Sequence, residues 1–406
     1  MQKKLKKQRR QLQTRERLNN VNNNWSFIFP HRTKIALTLR FSLAIFLPAF
    51  KQLMHSGVFF MLKKIAFIIL SFLACFSSVN AQTVWGKYAG EFMALGVGGR
   101  PLGMGGAFTG VANDVTAGYY NPAGLANIDY PQIALMHSEQ FGNLVNYDYG
   151  AVAIPFQDDM SFGLSIMRLA VDGIPDTRNA LIDGQTGQLI NDINNTYARL
   201  DYSRITEFSN QDWAIYGTFA KRQWKDFYWG VNIKVILRDI AEYNATGIGF
   251  DFGAFWLPME NLTVGANLQD ATTTFVAWST GTNELISPTL KLGTAYRITG
   301  IFGGYIMPAL DVDTRFENRR YASEFNIGPV SFDVHAGLEW NIQDIVYVRG
   351  GYSDVKQYTI GAGVKLPKLN IDYSFARFSA SELDRLPDSH RISLILTLEE
   401  PRFMRD

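Results

Sequence analysis

Few residues of this chain have the types and spacing that chemistry requires. Beyond residue 81 there are three histidines, His137, His335 and His390, far apart in sequence. His335 shares one face of an alternating stretch with Asp333 and Glu339, because side chains two apart in a strand point the same way. Such a trio could hold a metal ion or relay a proton. The plainer reading is a polar residue hydrogen-bonded to water or to neighbours. Asp172, Asp176, Asp183, Asp192 and Asp201 lie among Gly and Asn between residues 170 and 210. Oxygen-rich loops can take calcium, but the EF-hand spacing is absent, so a solvated loop is expected. Arg315, Arg319 and Arg320 form a basic cluster suited to an anionic contact such as lipopolysaccharide or a secreted protein. No phosphate-binding Gly-Lys-Ser/Thr loop, nucleophile elbow or His-Glu-x-x-His stretch occurs. A non-enzyme with no cofactor and no metal is therefore expected.

These residues belong to only part of the 406-residue chain. Residues 61–81 read as a secretory signal: Met61-Leu62-Lys63-Lys64, an apolar run over 65–76, then Val79-Asn80-Ala81. The run is short of the roughly twenty residues of a membrane-spanning helix. Residues 1–60 carry twelve Lys or Arg against the single acid Glu16, and read as an extension from a start codon called too early. A genuine basic arm with an apolar stretch at 35–50 is the alternative. Cleavage after Ala81 leaves 325 residues. Because 14 of the 39 basic residues but only one of the 37 acidic ones precede Gln82, these hold 25 bases and 36 acids, a net charge of −11 where the whole chain has +2. That balance argues against nucleic-acid binding. The only cysteine, Cys75, lies within the signal, so the mature chain has no disulfide, Cys metal site or thiol nucleophile. Its position after Phe72-Leu73-Ala74 leaves lipidation open.

The elements that must position the rest are strands. Apolar and polar residues alternate over Leu262, Val264, Ala266 and Leu268, over Phe332, Val334, Ala336, Leu338 and Trp340, and over Tyr358, Ile360, Ala362, Val364 and Leu366. A period of two marks a strand with one apolar and one polar face. Fourteen such stretches are expected, at 131–139, 147–156, 160–169, 211–222, 226–238, 246–257, 261–269, 287–298, 305–314, 331–341, 345–352, 356–366, 369–378 and 390–398. Links after even-numbered strands are short, whereas most after odd-numbered strands are longer, notably 170–210, 270–286, 315–330 and 379–389; 353–355 is an exception. Trp213, Trp224, Trp229, Trp256 and Trp340 fall near strand ends. Hydrocarbon offers no hydrogen-bond partners, so a spanning sheet must close. Short turns on one side, long loops on the other, an even strand number and aromatic girdles are the pattern of outer-membrane barrels. The expected fold is all-β: a transmembrane antiparallel β-barrel of about fourteen strands over 131–398, with a tail at 399–406 and both mature termini in the periplasm of a bacterium.

Residues 82–130 differ in kind. Eight glycines crowd residues 96–118, implying tight turns and close backbone approach. The stretch is too short and glycine-rich for its own core, and the barrel lumen is the obvious host. Its residues Gly99, Arg100, Pro101, Leu102, Gly103, Met104, Gly105, Gly106, Ala107 and Phe108, then Asn113-Asp114 and Tyr120-Asn121-Pro122-Ala123-Gly124-Leu125, resemble the N-terminal signature of the PorV/PorQ family, related to FadL-type outer-membrane transporters. The resemblance implies a hatch inside a fourteen-stranded barrel, with Asn121-Pro122-Ala123 matching the hatch triplet. At the C-terminus the chain departs from the common pattern, since Leu398 is followed by eight more residues instead of a terminal aromatic.

Two roles follow from the resemblance. One is a component of type IX protein secretion whose outer loops, chiefly 170–210 and 315–330, engage cargo proteins and secretion-machinery subunits. The other is a FadL-like transporter of hydrophobic small molecules, which an apolar pocket beside Asn121 would support and a charged lumen would count against. A structural barrel of unassigned role is the third. All three have outer-membrane lipid as a partner.

Overall fold

A computed structural model of the chain describes residues 90–140, 144–316, 323–353, 356–378, 388–400 and 403–405. The expected signal peptide at 61–81, the expected extension at 1–60 and Cys75 lie outside the described residues, as do Arg319 and Arg320.

Fourteen strands form the wall: β1 Gln132–Gln140, β2 Val145–Phe156, β3 Met160–Asp176, β4 Thr206–Trp224, β5 Phe227–Ile240, β6 Tyr243–Met259, β7 Leu262–Gln269, β8 Thr289–Tyr296, β9 Gly304–Arg315, β10 Val330–Ile342, β11 Val346–Ser353, β12 Gln357–Lys365, β13 Leu369–Phe378 and β14 Ser389–Thr397. Each pairs antiparallel with its sequence neighbours, and β14 returns to β1 with Thr397 opposite Gln132, which closes the sheet. The expected strands are all present, because alternation is what a two-faced wall demands of every strand. Outward go Leu135, Ile154, Leu164, Ile233, Phe252, Leu292, Ile360 and their like, all at least a third exposed. Such an exterior suits hydrocarbon and is costly in water.

At one rim the turns are tight. Gln343 and Asp344 both have positive φ, 54° and 55°, and Ile345 N–H donates to the Ile342 carbonyl at 3.1 Å. Two positive-φ residues match the right-handed twist of the flanking strands, as in a type I′ hairpin. An outward aromatic row runs close to this rim: Phe156, Phe162, Phe219 and Trp229 follow one another at 5.8, 5.3 and 5.6 Å between ring centroids.

The opposite rim carries the long links, but loop parity breaks at a second place. β5 and β6 are joined by Ala241 and Glu242 alone, since both strands run on beyond the expected 238 and 246 and absorb the link. Two of the long loops contain structure of their own. Thr274–Trp278 and Asn283–Ile286 form a hairpin that continues β6, and Leu181–Asp183 pairs with Ala198–Leu200. Above the apolar belt, Arg178 ties β3 to the β5–β6 turn: Nη2 donates to Asp176 Oδ2 at 2.7 Å and Nη1 to Glu242 Oε1 at 2.6 Å. The hydrogen bonds from Arg178 hold the Asp176 carboxyl down at about 2. A depressed folded value means the link is intact above the ordinary aspartate value near 3.9 and is lost as pH falls through about 2. Carboxyl NMR should therefore show Asp176 titrating near 2, and Arg178→Ala should raise its midpoint towards 3.9; an unchanged midpoint would exclude the tie.

Candidate functional site: the lumen and the outer loops

The inner faces of the strands meet residues 90–127, which form four short turns of helix, Glu91–Leu95, Gly99–Gly103, Ala117–Tyr120 and Pro122–Asn127. Their buried side chains, among them Val97, Met104, Phe108, Tyr120 and Leu125, join inward residues of the wall such as Tyr147 and Met167 in one apolar cluster.

Close approach of two backbones needs glycine, and glycine stands on both sides of the contact. On the wall, a Cβ on Gly230 or Gly253 would overlap Pro122, one on Gly265 the Thr109 carbonyl, one on Gly293 the Gly110 amide, and one on Gly337 or Gly351 the Met104 backbone. These positions span β5 to β11. On the segment, Gly99 packs on the Asp372 carbonyl of β13, Gly103 on Gly361 of β12 and Gly105 on the Tyr352 backbone of β11. Gly105 and Gly106 also have positive φ, 67° and 83°, so both need glycine for conformation as well. Gly124 lies against the Ala112 carbonyl within the segment. Residues 90–127 thus lie in direct backbone contact with the inner wall.

The polar residues of the signature are fasteners. Asn121, fully buried, donates from Nδ2 to the carbonyls of Thr109 at 3.0 Å and Ala254 at 2.9 Å, and its Oδ1 accepts the Ala123 N–H at 3.2 Å. It thereby caps the turn that Pro122 opens; proline fits there because the first N–H of a helix has no internal partner. Asp311 Oδ2 accepts the N–H groups of Phe108 and Thr109 at 2.9 and 2.7 Å. Asn232 Nδ2 donates to the Gly118 carbonyl at 2.8 Å, and Asn267 Nδ2 to that of Tyr120 at 2.9 Å.

Arg100 is the segment's one charged anchor within the signature. It forks onto Glu339, Nε to Oε2 at 2.9 Å and Nη2 to Oε1 at 3.0 Å, and also reaches Asn113 and Asp114 at 2.8 and 3.0 Å. Glu339 Oε2 accepts in turn from Arg349 at 2.7 Å, and Arg349 donates to Asp372 at 2.6 Å. Elsewhere on the wall Lys234 lies 2.9 Å from Asp251 and 2.6 Å from Asp270, and Lys291 lies 2.7 Å from Asp313. These buried charges are paired, which is what makes their desolvation tolerable.

His335, Asp333 and Glu339 share β10 as expected, yet each turns to a different partner. His335 Nδ1 donates to the Gly105 carbonyl at 2.9 Å, Asp333 lies 3.7 Å from Arg315, and Glu339 takes the two arginines. They form no common site, and His335 is a fastener too. His137 and His390 face outward, hydrogen-bonded to Asp148 and Tyr373.

Arg315 corrects an expectation. It is not on a loop: it ends β9, is 9% exposed, and pairs inward with Asp333 and with Glu91 at 3.8 Å. The first and last described residues lie at opposite rims. Gly90 packs on Ile286 and Glu91 on Arg315, at the rim of the long loops, whereas Arg405 donates to the Ala126 and Met160 carbonyls at the short-turn rim. A cavity beside Gly90, bordered by Lys234, Asp270, Lys291 and Arg315, measures about 60 Å³. It has room for one or two waters at about 30 Å³ each, and Asn121 is itself held among the Thr109 and Ala254 carbonyls and the glycines Gly253 and Gly265.

The other departure from a plain barrel is on the long loops. Ile193 and Tyr202 are 76% and 77% exposed, with Leu189, Tyr197 and Leu200 about half exposed around them. Asp183 N–H donates to Gln188 and Asp201 N–H to Ala180, which folds this loop back on itself over buried Ala180 and Ile182.

Against known proteins, the model of an uncharacterised protein family, UPF0164, matches residues 69–166. No curated protein sequence matches the chain. Among solved structures, the Ralstonia pickettii toluene transporter TbuX is similar with a TM-score of 0.50 at 12% identity, covering 74% of this chain and 98% of that one. The Pseudomonas putida toluene transporter TodX gives a TM-score of 0.49 at 11% identity, over 74% of this chain and 97% of its own. A Pseudomonas aeruginosa FadL homologue gives 0.45 at 12%, over 74% and 98%. The likeness to TbuX is a likeness of fold: a closed fourteen-stranded antiparallel barrel.

Proposed function

We propose that this chain is a non-enzymatic outer-membrane barrel whose lumen is sealed by residues 90–127 acting as a hatch, and whose outer loops dock a protein partner in type IX protein secretion. The observation that carries the reading is the seal. The segment is seated backbone to backbone on inward glycines, fastened by Asn121, Asp311 and the Arg100–Glu339 pair. The inward charges of the wall that flank it are paired, which suits a fixed plug. With the lumen closed, recognition falls to the loops. The exposed Ile193, Tyr202 and their neighbours form the kind of apolar surface that marks a protein contact. The short turns would face the periplasm and the long loops the exterior.

Pull-down from membranes in mild detergent tests this. Secretion-machinery subunits or secreted proteins should co-purify, and Ile193→Asp with Tyr202→Ala should release them while the barrel stays folded. A secreted-protein profile unchanged by deletion of the gene would reject the reading.

A second reading, transport of hydrophobic small molecules, is favoured by the fold it shares with a toluene transporter. It requires residues 90–127 to rearrange, because their backbone packs on the inner wall from β5 to β13. Hydrocarbon co-purifying with the barrel, and no protein, would favour it.

A further inference from the structure

Between the two rims, ionisable groups face outward together at one level of the described wall. Along one rung of hydrogen-bonded neighbours the outward residues are Ile392, His137, Asp148, Arg168, Trp213 and Leu237, so three adjacent strands put ionisable groups where their flanks are apolar. Arg168 stands six residues along β3 from Phe162 of the aromatic row, about 20 Å of strand. Charged side chains on a lipid-facing wall are tolerated near the interface and not at mid-depth, so this rung marks the outer headgroup level.

The rung below is wholly apolar, with a gap in it. Leu394, Leu135, Gly150 and Ile166 are consecutive partners, and Gly150 has no side chain to fill its place. The result is a groove of about 770 Å³ on the outside of the wall, floored by these aliphatic groups and capped by His137, Asp148 and Arg168. That lies within the roughly 300–1,000 Å³ of small-molecule sites.

The cap retains unused capacity of both signs. Arg168 makes one long hydrogen bond, 3.5 Å to Asp148, and rests over Trp213 at 5.5 Å. Its other N–H groups have no hydrogen-bond partner among the described residues. Glu139, one step higher, is 57% exposed in its side chain and lies 3.7 Å from His137.

We infer that this groove is a binding site for one zwitterionic phospholipid: an acyl chain over Gly150, the phosphate on Arg168, and the ammonium towards Glu139. A phosphate would take the open N–H groups of Arg168, and an amine joined to it would reach the exposed carboxylate of Glu139. The inference rests on the exterior being lipid-facing, as proposed above.

The test is native mass spectrometry of the purified barrel released from nanodiscs of equimolar phosphatidylethanolamine and phosphatidylglycerol. One phosphatidylethanolamine should stay bound per barrel. Gly150→Phe fills the floor without backbone strain, since a Cβ there meets only Leu135 at 3.7 Å. It should lose the bound lipid, as should Arg168→Ala, by about ten-fold or more for one charge-assisted hydrogen bond. Gly217→Phe, outward but away from the groove, should retain it. Equal retention by Gly150→Phe and Arg168→Ala, a preference for phosphatidylglycerol, or no retained lipid would overturn the site and leave the barrel reading intact. Failure of the protein to enter nanodiscs at all would overturn both.

Discussion

Glu339→Ala is expected to destabilise the folded barrel by about 3–5 kcal/mol, the usual consequence of removing one member of a buried ion pair. Glu339 is fully buried and receives Arg100 of the hatch, Arg349 of β11 and the Tyr305 hydroxyl at 2.9 Å. Its loss strands two guanidinium groups, although Asp114 and Asp372 still hold one edge of each. Denaturant unfolding in lipid vesicles, followed by tryptophan fluorescence, measures the change. Glu339→Gln keeps the shape and one acceptor and should fall between wild type and Ala. A loss under about 1 kcal/mol for Glu339→Ala, the value of an exposed pair, would mean that Arg100 does not anchor the segment.

Gly265→Val should abolish most of the folded fraction. Valine favours strands and the position has ordinary strand dihedrals, so propensity alone points to a gain. Packing reverses the sign: the new Cβ would occupy the place of the Thr109 carbonyl and crowd Asn121 Nδ2. Neither neighbour is a flexible tip that can swing away, and overpacking of this kind costs about 1–3 kcal/mol or more. Gly217→Val is the control, because a Cβ there faces outward and meets only the Ile233 carbonyl at 3.9 Å. Heat-modifiable gel migration separates the outcomes: folded yield collapses for Gly265→Val and holds for Gly217→Val. Equal yields would show that the segment does not press on the wall at β7.

The wall was legible from alternation because every residue of a two-faced strand repeats the same message. Its ends were less so. β5 and β6 continue past the expected 238 and 246 through Asp239, Ile240, Tyr243 and Asn244, which alternation cannot distinguish from a loop. Arg315 was misplaced for a similar reason, being charged and following the last apolar residue. Its phase with Asp313 and Asp311, two and four residues back, is the signal that it faces inward. The glycines and Asn121-Pro122-Ala123 of the N-terminal segment stood out by type, and their need for close contact was readable. Their partners were not. Arg100 and Glu339 are 239 residues apart, and nothing in either neighbourhood selects one carboxylate among several inward ones. The groove over Gly150 was equally hidden, since it exists only where four strands bring their outward residues onto adjacent rungs.

Ionic conductance tests the sealed barrel most directly. Residues 82–406 reconstituted in a planar lipid bilayer are predicted to insert without opening a conducting path, because residues 90–127 pack backbone to backbone on the inner wall from β5 to β13. Steady stepwise currents from the intact protein would contradict the account.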